Sequence, residues 1–258
     1  WMMGEAARRR REEVAALRLG LDLGMTLIDT AEMYGNGGAE EVVAESVAGR
    51  RDSVFLVSKV LPENATRRGT IAACERSLKR LKTDRIDLYL LHWRGSPAFQ
   101  ETLEGFTALV RDGKIRHWGV SNFDTDDMEE AVGLPGGKAV STNQVLYNLT
   151  RRGIEHDLLP WCQKRGIPIM AYSPIEQGRM LGNKVLAAIA ARHGATPAQV
   201  ALAWLLRQKG MIVIPKASTD AHVRENRKAL DLALTNADLA ELDRAFPAPT
   251  RKRSLEML

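Results

Sequence analysis

The chain has 258 residues, 45% of them hydrophobic, with 37 basic against 32 acidic side chains and a net charge of +5. That length and apolar content suit one large α/β domain with a substantial core. No apolar run reaches the 18 or so residues of a membrane span, no signal peptide opens the chain, and two isolated cysteines, Cys74 and Cys162, do not make a disulfide scaffold. We therefore expect a cytoplasmic protein.

The chain opens at Trp1 and soon meets four arginines, Arg8 to Arg11, followed by "EEVAALRLGLDLG" ending at Gly24. No zinc spacing, aromatic RNA-binding motif or basic zipper accompanies the arginines, so a nucleic-acid patch is disfavoured. We read a solvated helix face on which Glu12 and Glu13 balance part of the charge; an anionic small molecule would explain the positive excess equally well.

Strand-like and helix-like segments then alternate. The strands read as Thr26 to Asp29, Ser53 to Lys59, Ile86 to His92, Ile115 to Ser121, Ala139 to Gln144, Ile167 to Ser173 and Met211 to Lys216. All are short and rich in Val, Ile and Leu, as strands buried on both faces of a parallel sheet require. Helical patterns lie between them, among them "TIAACERSLKRL" and "TNADLAELDRAF". In "TPAQVALAWLLRQKG", Thr196 stands as N-cap with Pro197 in the first turn. No linker or repeat divides the chain, so a single domain over residues 1–258 is expected.

Parallel strands joined by helices make either an open doubly wound sheet or a closed (β/α)8 TIM barrel. "YGNGGAEE" lacks the glycine spacing of a dinucleotide-binding turn. A barrel is favoured, with seven strands visible and a first strand expected before Trp1.

Each candidate strand ends in a polar group: Asp29, Lys59, His92, Ser121 with Asn122, Gln144, Tyr172 and Lys216. In barrels, the C-terminal strand ends carry the chemistry, whereas "KTDR", "RDGK" and "KRG" at the other end read as solvated turns. Lys59 leaves the strand beside the one ending in Asp29, and an ammonium there relieves the desolvation of the carboxylate. Tyr34, carried in by the loop after Asp29, approaches that cation, which favours the phenolate and is expected to lower the tyrosine pKa. With His92 one strand further on, the four form a device for protonating a carbonyl oxygen.

These residues sit in motifs that resemble the aldo-keto reductase family: "LIDTAEMYG", "LVSKV", "DLYLLHW", "GVSNF", "NQVLYN", "AYSP" and "IPKASTDAHVREN", in family order over nearly the whole chain. The resemblance implies a barrel that binds a nicotinamide cofactor, NADPH in preference to NADH, and reduces aldehydes or ketones. By that similarity Tyr34 is the proton donor, Asp29 and Lys59 tune it, and His92 orients the carbonyl. Ser121, Asn122 and Gln144 would hold the carboxamide, Tyr172 would stack on the ring, and Ser173 would assist. Lys216, Ser218, Thr219, His222, Glu225 and Asn226 would grip the adenosine half. Ala217 and His222 depart from the serine and arginine that many members carry at these places, although Arg224 and Arg227 are near in sequence. Trp1 and Trp93 would line the substrate pocket. No metal is implied, a monomer is the family-based expectation, and a short loop after His92 points to small aldehydes or dicarbonyls.

Two other readings remain open on the same residues. A Schiff-base aldolase would use Lys59 or Lys216 as a neutral amine nucleophile. A non-catalytic cofactor-sensing subunit would keep the binding residues without turnover.

Overall fold

The computed structural model describes residues 2–258. Its chain forms two compact units, one reaching Ser141 and including Ser218–Asp220, the other made of Thr142–Ala217 and Ala221–Leu258.

The first unit carries β1 (Leu27–Asp29), β2 (Phe55–Val60), β3 (Ile86–Leu91) and β4 (Ile115–Ser121), with each sequential neighbour parallel. Register is fixed by pairs such as Ile28 with Leu56, Lys59 with Leu90, and Leu90 with Gly119. Parallel neighbours need a crossover, and helices supply it: α1 (Arg10–Asp22) precedes β1, and α2 (Gly38–Val47), α3 (Arg67–Leu81), α4 (Phe99–Arg111) and α5 (Thr125–Gly133) follow the four strands in turn. β3 is buried at all six positions, as a strand covered on both faces must be. Phe106 stacks on Trp118 at 5.6 Å and meets Tyr89 edge-on, joining α4 to β3 and β4.

The second unit carries β5 (Asn143–Leu146), α6 (Leu158–Arg165), β6 (Ile169–Tyr172), α7 (Lys184–Arg192), α8 (Pro197–Leu206), β7 (Met211–Val213), α9 (Asp220–Lys228) and α10 (Asn236–Ala245). Here too the paired strands are parallel, β5 with β6 and β6 with β7. Trp204 and Tyr147 fill its core.

The seven expected strands are all present, with end shifts of up to four residues, and prolines explain the two largest. β5 begins at Asn143, four residues later than expected, because its neighbour is preceded by Pro168, which has no N–H to extend the ladder. β7 stops at Val213, two residues before Pro215, so Lys216 lies beyond the strand rather than at its end. Gln144 accordingly sits inside β5, not at its exit.

The helix ends follow local chemistry. Thr196 accepts from the Gln199 N–H while the Gln199 side chain accepts from the Thr196 N–H, and Thr235 with Asp238 does the same for α10. In the arginine run, Arg8 and Arg11 are solvated as expected, whereas Arg10 donates to Glu41 and Glu45. Glu13 is buried and accepts from the Gly4 N–H, so it does not serve as surface charge balance. The turn "KTDR" is also more than solvated: Arg51 donates to the Thr83 hydroxyl at 3.1 Å and to the Arg85 carbonyl at 2.8 Å, and Arg85 pairs with Asp52. Among the described residues, no helix is long and apolar enough to cross a membrane.

Replacing Thr196 by Ala removes one half of the α8 capping box. The expected result is a loss of about 1 kcal/mol in urea unfolding with an unchanged m-value.

Candidate active site

The exit of β1 has to turn sharply. Beyond Asp29 the chain keeps contact with β2 through Thr30 N–H to the Val57 carbonyl (2.9 Å) and Glu32 N–H to the Lys59 carbonyl (3.4 Å). It then coils through Gly35, Asn36 and Gly37, all with positive φ, before α2 starts. Gly38 passes so close to Gly4 that a Cβ would stand 2.5 Å from the Gly4 carbonyl oxygen. The glycines of "YGNGG" thus serve a tight turn and a close backbone approach, not a phosphate loop.

That turn delivers Tyr34 to Lys59. The Lys59 ammonium is fully buried and donates to Asp29 Oδ2 at 2.7 Å and to the Thr30 carbonyl at 2.9 Å. It also reaches the Tyr34 hydroxyl at 3.3 Å, with Nζ 4.8 Å from the ring centroid. His92, one residue past β3, presents its ring edge-on to Tyr34 at 5.6 Å and lies against Trp93 at 4.9 Å. Its backbone N–H still bonds to the Val60 carbonyl, which ties the residue to β2. Among the described residues, the buried ring nitrogen Nδ1 of His92 has no hydrogen-bond partner. Asp29, Tyr34, Lys59 and His92 are therefore brought together, within one compact unit.

Electrostatics assigns their protonation. Burial opposes the charge on Lys59, but Asp29 and then Tyr34 outweigh it, and its pKa is raised. For Tyr34 the sequence led us to expect a lowered pKa. The structure gives the opposite: burial raises it more than the Lys59 charge lowers it, and Asp29 adds to the rise. For His92, burial and then the Lys59 charge push the pKa down to about 3, so the imidazole is neutral at physiological pH. The resting site holds a phenol, a neutral imidazole and an ammonium–carboxylate pair.

At the end of β4, Ser121 is buried and Asn122 adopts φ +58°, a region asparagine tolerates better than most side chains. The Asn122 amide donates to the His92 carbonyl at 3.1 Å and to the Ser121 hydroxyl at 3.2 Å, linking the exits of β3 and β4. Ser218, in the same compact unit, accepts from the Arg9 guanidinium at 3.1 Å. Thr219 is exposed.

In the second unit, Gln144 is buried within β5 and its amide nitrogen lies 3.9 Å from the Met170 sulfur. Tyr172 ends β6, its hydroxyl accepting from the Leu258 N–H at 3.4 Å. Ser173 follows with φ +47°, and its carbonyl accepts from Asn148 at 2.9 Å. Lys216 and His222 are exposed, while Glu225 and Asn226 are half-buried on α9, where the Glu225 carbonyl accepts from the Gln199 side chain. Trp1 lies outside the described residues.

The sequence reading missed the groups that hold these loops. Glu32 accepts from the Leu61 N–H at 2.8 Å and from Asn64 at 3.0 Å, pinning the Tyr34 loop to the exit of β2. Its signal was present: a carboxylate inside a glycine-bounded turn needs donors. Glu176 does the same after β6, accepting from Arg151, Arg179 and Asn148, and those donors hold its pKa low against the effect of burial. Nothing in the local sequence marked Glu176.

This arrangement and its order along the chain define a family. The chain belongs to the aldo/keto reductase family, whose model matches residues 1–246. It is 56% identical to the methylglyoxal reductase YeaE of Escherichia coli, covering 100% of this chain and 93% of that protein. It is 35% identical to the glyoxal reductase of Bacillus subtilis, over 90% and 83% of the two chains. Among solved structures, an aldo/keto reductase from Klebsiella pneumoniae in complex with NADP and acetate superposes with a TM-score of 0.99 at 52% identity, covering 100% of this chain and 93% of that one. The thermostable reductase Tm1743, solved with the inhibitor epalrestat, gives 0.89 at 40% identity, over 95% and 92% of the chains. The expected fold class, the α/β (β/α)8 barrel, is the one this likeness gives.

Replacing Lys59 by Met strands the Asp29 carboxylate and removes the one charge that lowers the Tyr34 pKa. Unfolding should lose about 3–5 kcal/mol, and much of that should return in the Asp29→Leu/Lys59→Met double variant. Ultraviolet titration of the phenolate should place Tyr34 higher in Lys59→Met than in the wild type.

Proposed function

We propose that this chain reduces small aldehydes and dicarbonyls to alcohols with NADPH, Tyr34 supplying the proton. The observation that carries the reading is the Tyr34 hydroxyl 3.3 Å from an ammonium that Asp29 keeps charged. The relatives named as methylglyoxal and glyoxal reductases, and neighbours solved with NADP or NADPH, support the substrate class and the cofactor.

The site residues fit such a cofactor by their chemistry. A carboxamide needs a donor and an acceptor together, which the Ser121 hydroxyl and the Asn122 and Gln144 amides provide. Tyr172 offers a flat face to a flat ring, with Ser173 beside it in sequence. Lys216, Ser218, Thr219 and His222 supply cationic and hydroxyl groups for a phosphorylated ribose, and Glu225 and Asn226 polar edges for an adenine. When bound, the reduced nicotinamide supplies the hydride; NADH is the second candidate for that role.

The remaining work falls to the chain. The carbonyl oxygen accepts a hydrogen bond from the Tyr34 hydroxyl, and the neutral His92 imidazole orients it. As negative charge grows on that oxygen, the proton moves from Tyr34 Oη to it. The phenolate left behind faces the Lys59 ammonium, which Asp29 holds in place. Trp93, which lies against His92, walls the substrate side and excludes water. A Schiff-base role for Lys59 needs a free amine, and the raised Lys59 pKa opposes it. We further infer a cytoplasmic monomer acting on a small molecule rather than on nucleic acid or membrane. The two buried free cysteines suit a reducing compartment.

Tyr34→Phe should lower NADPH oxidation with methylglyoxal by roughly 10²–10⁴-fold while fluorescence titration shows NADPH binding little changed. Equal inactivity of wild type and variant, with tight cofactor binding in both, would instead point to a cofactor sensor. The pH profile is a second check. His92 is neutral down to about 3, and Tyr34, with its pKa raised, keeps its proton to higher pH than an ordinary phenol. The kcat for reduction should therefore be level between about pH 5 and 8, where an ordinary histidine would titrate, and fall only in alkali. An inflection near neutrality that His92→Gln removes would contradict this assignment.

A further inference from the structure

The four consecutive arginines are used in three different ways. Arg8 and Arg11 point to solvent, and Arg10 is matched by two carboxylates, Glu41 and Glu45. Arg9, the last residue of the short turn Ala7–Arg9 that leads into α1, is half-buried and reaches across 209 residues of sequence to the Ser218 hydroxyl. Among the described residues its side chain pairs with no carboxylate, and its backbone N–H is taken by the Ala6 carbonyl, but its other guanidinium N–H groups make no hydrogen bond. Ser218 belongs to the same compact unit as Arg9 and α1.

A guanidinium held by a neutral hydroxyl keeps its full charge. One of its five N–H groups is spent on Ser218, and the rest of its planar edge is open to an acceptor with several oxygens, the geometry that suits a phosphate. We propose that Arg9 selects the phosphorylated cofactor, its guanidinium receiving the 2′-phosphate of the adenosine ribose. The proposal rests on the reading above that Ser218 and Thr219 meet that ribose. It adds a residue that no motif in the adenosine-binding segment contains, from the opposite end of the chain. A structural role for the contact would be small, because a single hydrogen bond on a part-exposed surface stabilises little.

Titration of the full chain with NADPH and NADH, followed by protein fluorescence, tests this in wild type, Arg9→Gln, Arg9→Lys and Arg8→Gln. Arg8→Gln removes the same charge one residue away without touching Ser218. Arg9→Gln should weaken NADPH binding about ten-fold or more and leave NADH within about two-fold, as loss of a charge-assisted contact to phosphate alone requires. Arg9→Lys should fall between, and Arg8→Gln should keep the wild-type preference. Adenosine 2′-monophosphate should compete with NADPH in the wild type and lose that advantage over the 5′-monophosphate in Arg9→Gln. Equal weakening of both cofactors by Arg9→Gln would mean that Arg9 only supports the loop. Equal effects of Arg8→Gln and Arg9→Gln would mean diffuse attraction. Either result, or an unchanged preference in Arg9→Gln, overturns the proposal while the NADPH-dependent reading stands. A wild type that binds neither dinucleotide overturns both.

Discussion

Lys59 keeps its positive charge with none of its side chain open to water, and the arrangement of the site follows from how that charge is accommodated. An isolated ammonium in such a place would shed its proton. Asp29, at 2.7 Å and itself nearly buried, prevents this, and the Thr30 carbonyl takes a second N–H. With the pair in place, everything nearby feels a fixed cation of known direction. His92 is driven to its neutral form, first by burial and then by that charge. The Tyr34 hydroxyl stands 3.3 Å from that charge. Two adjacent parallel strands are enough to set this up, because their register places Asp29 beside Val57 and so brings Lys59, two residues on, above the exit of β1.

Apart from Met2 and Lys82, the non-glycine residues with positive φ lie in the loops that follow strands, where buried polar groups hold them. Asn36 and Asn122 in the first unit, and Ser173, Glu176 and Gln177 in the second, all have positive φ. Each such residue costs of order 1–3 kcal/mol unless its surroundings compensate. The compensation is visible at each loop. Glu32 draws N–H groups of the next loop onto the Tyr34 turn, Asn122 donates to the His92 carbonyl, and Glu176 gathers two arginines and Asn148 around the segment after Tyr172. Buried carboxylates here act as anchors for irregular chain rather than as reacting groups.

Much of this was legible in the sequence. The seven strands could be read because buried parallel strands are continuous apolar runs, and β4 falls on its expected bounds. The four groups around Lys59 could be read because ionisable residues at the ends of such runs demand partners. What escaped has a common cause: it depends on contacts far apart in sequence. The late start of β5 follows from a proline in its neighbour, not from its own residues. Glu13 looked like surface charge until Gly4 was seen to donate to it. Arg9 was indistinguishable from Arg8, Arg10 and Arg11 in a charge run, and only the position of Ser218 separates it. The sign of the Tyr34 shift was missed because a list of neighbouring charges carries no measure of burial.

That last discrepancy bears on how a phenol can serve here at all. A lowered tyrosine pKa would ease proton donation, yet it would leave part of the enzyme in the phenolate form before substrate arrived. A raised value keeps the proton in place at working pH. The ammonium then matters at a different moment. Against a neutral phenol it gains little, since the attraction is that of a charge for a dipole. Against a phenolate at about 3 Å in a water-poor site, the attraction is several-fold larger. The stabilisation thus grows as the proton leaves, and an interaction that is stronger in the transition state than in the ground state is the kind that accelerates a reaction. Burial and the Lys59 charge pull the resting pKa in opposite directions, but in the proposed reaction they would cooperate, one storing the proton and the other easing its departure.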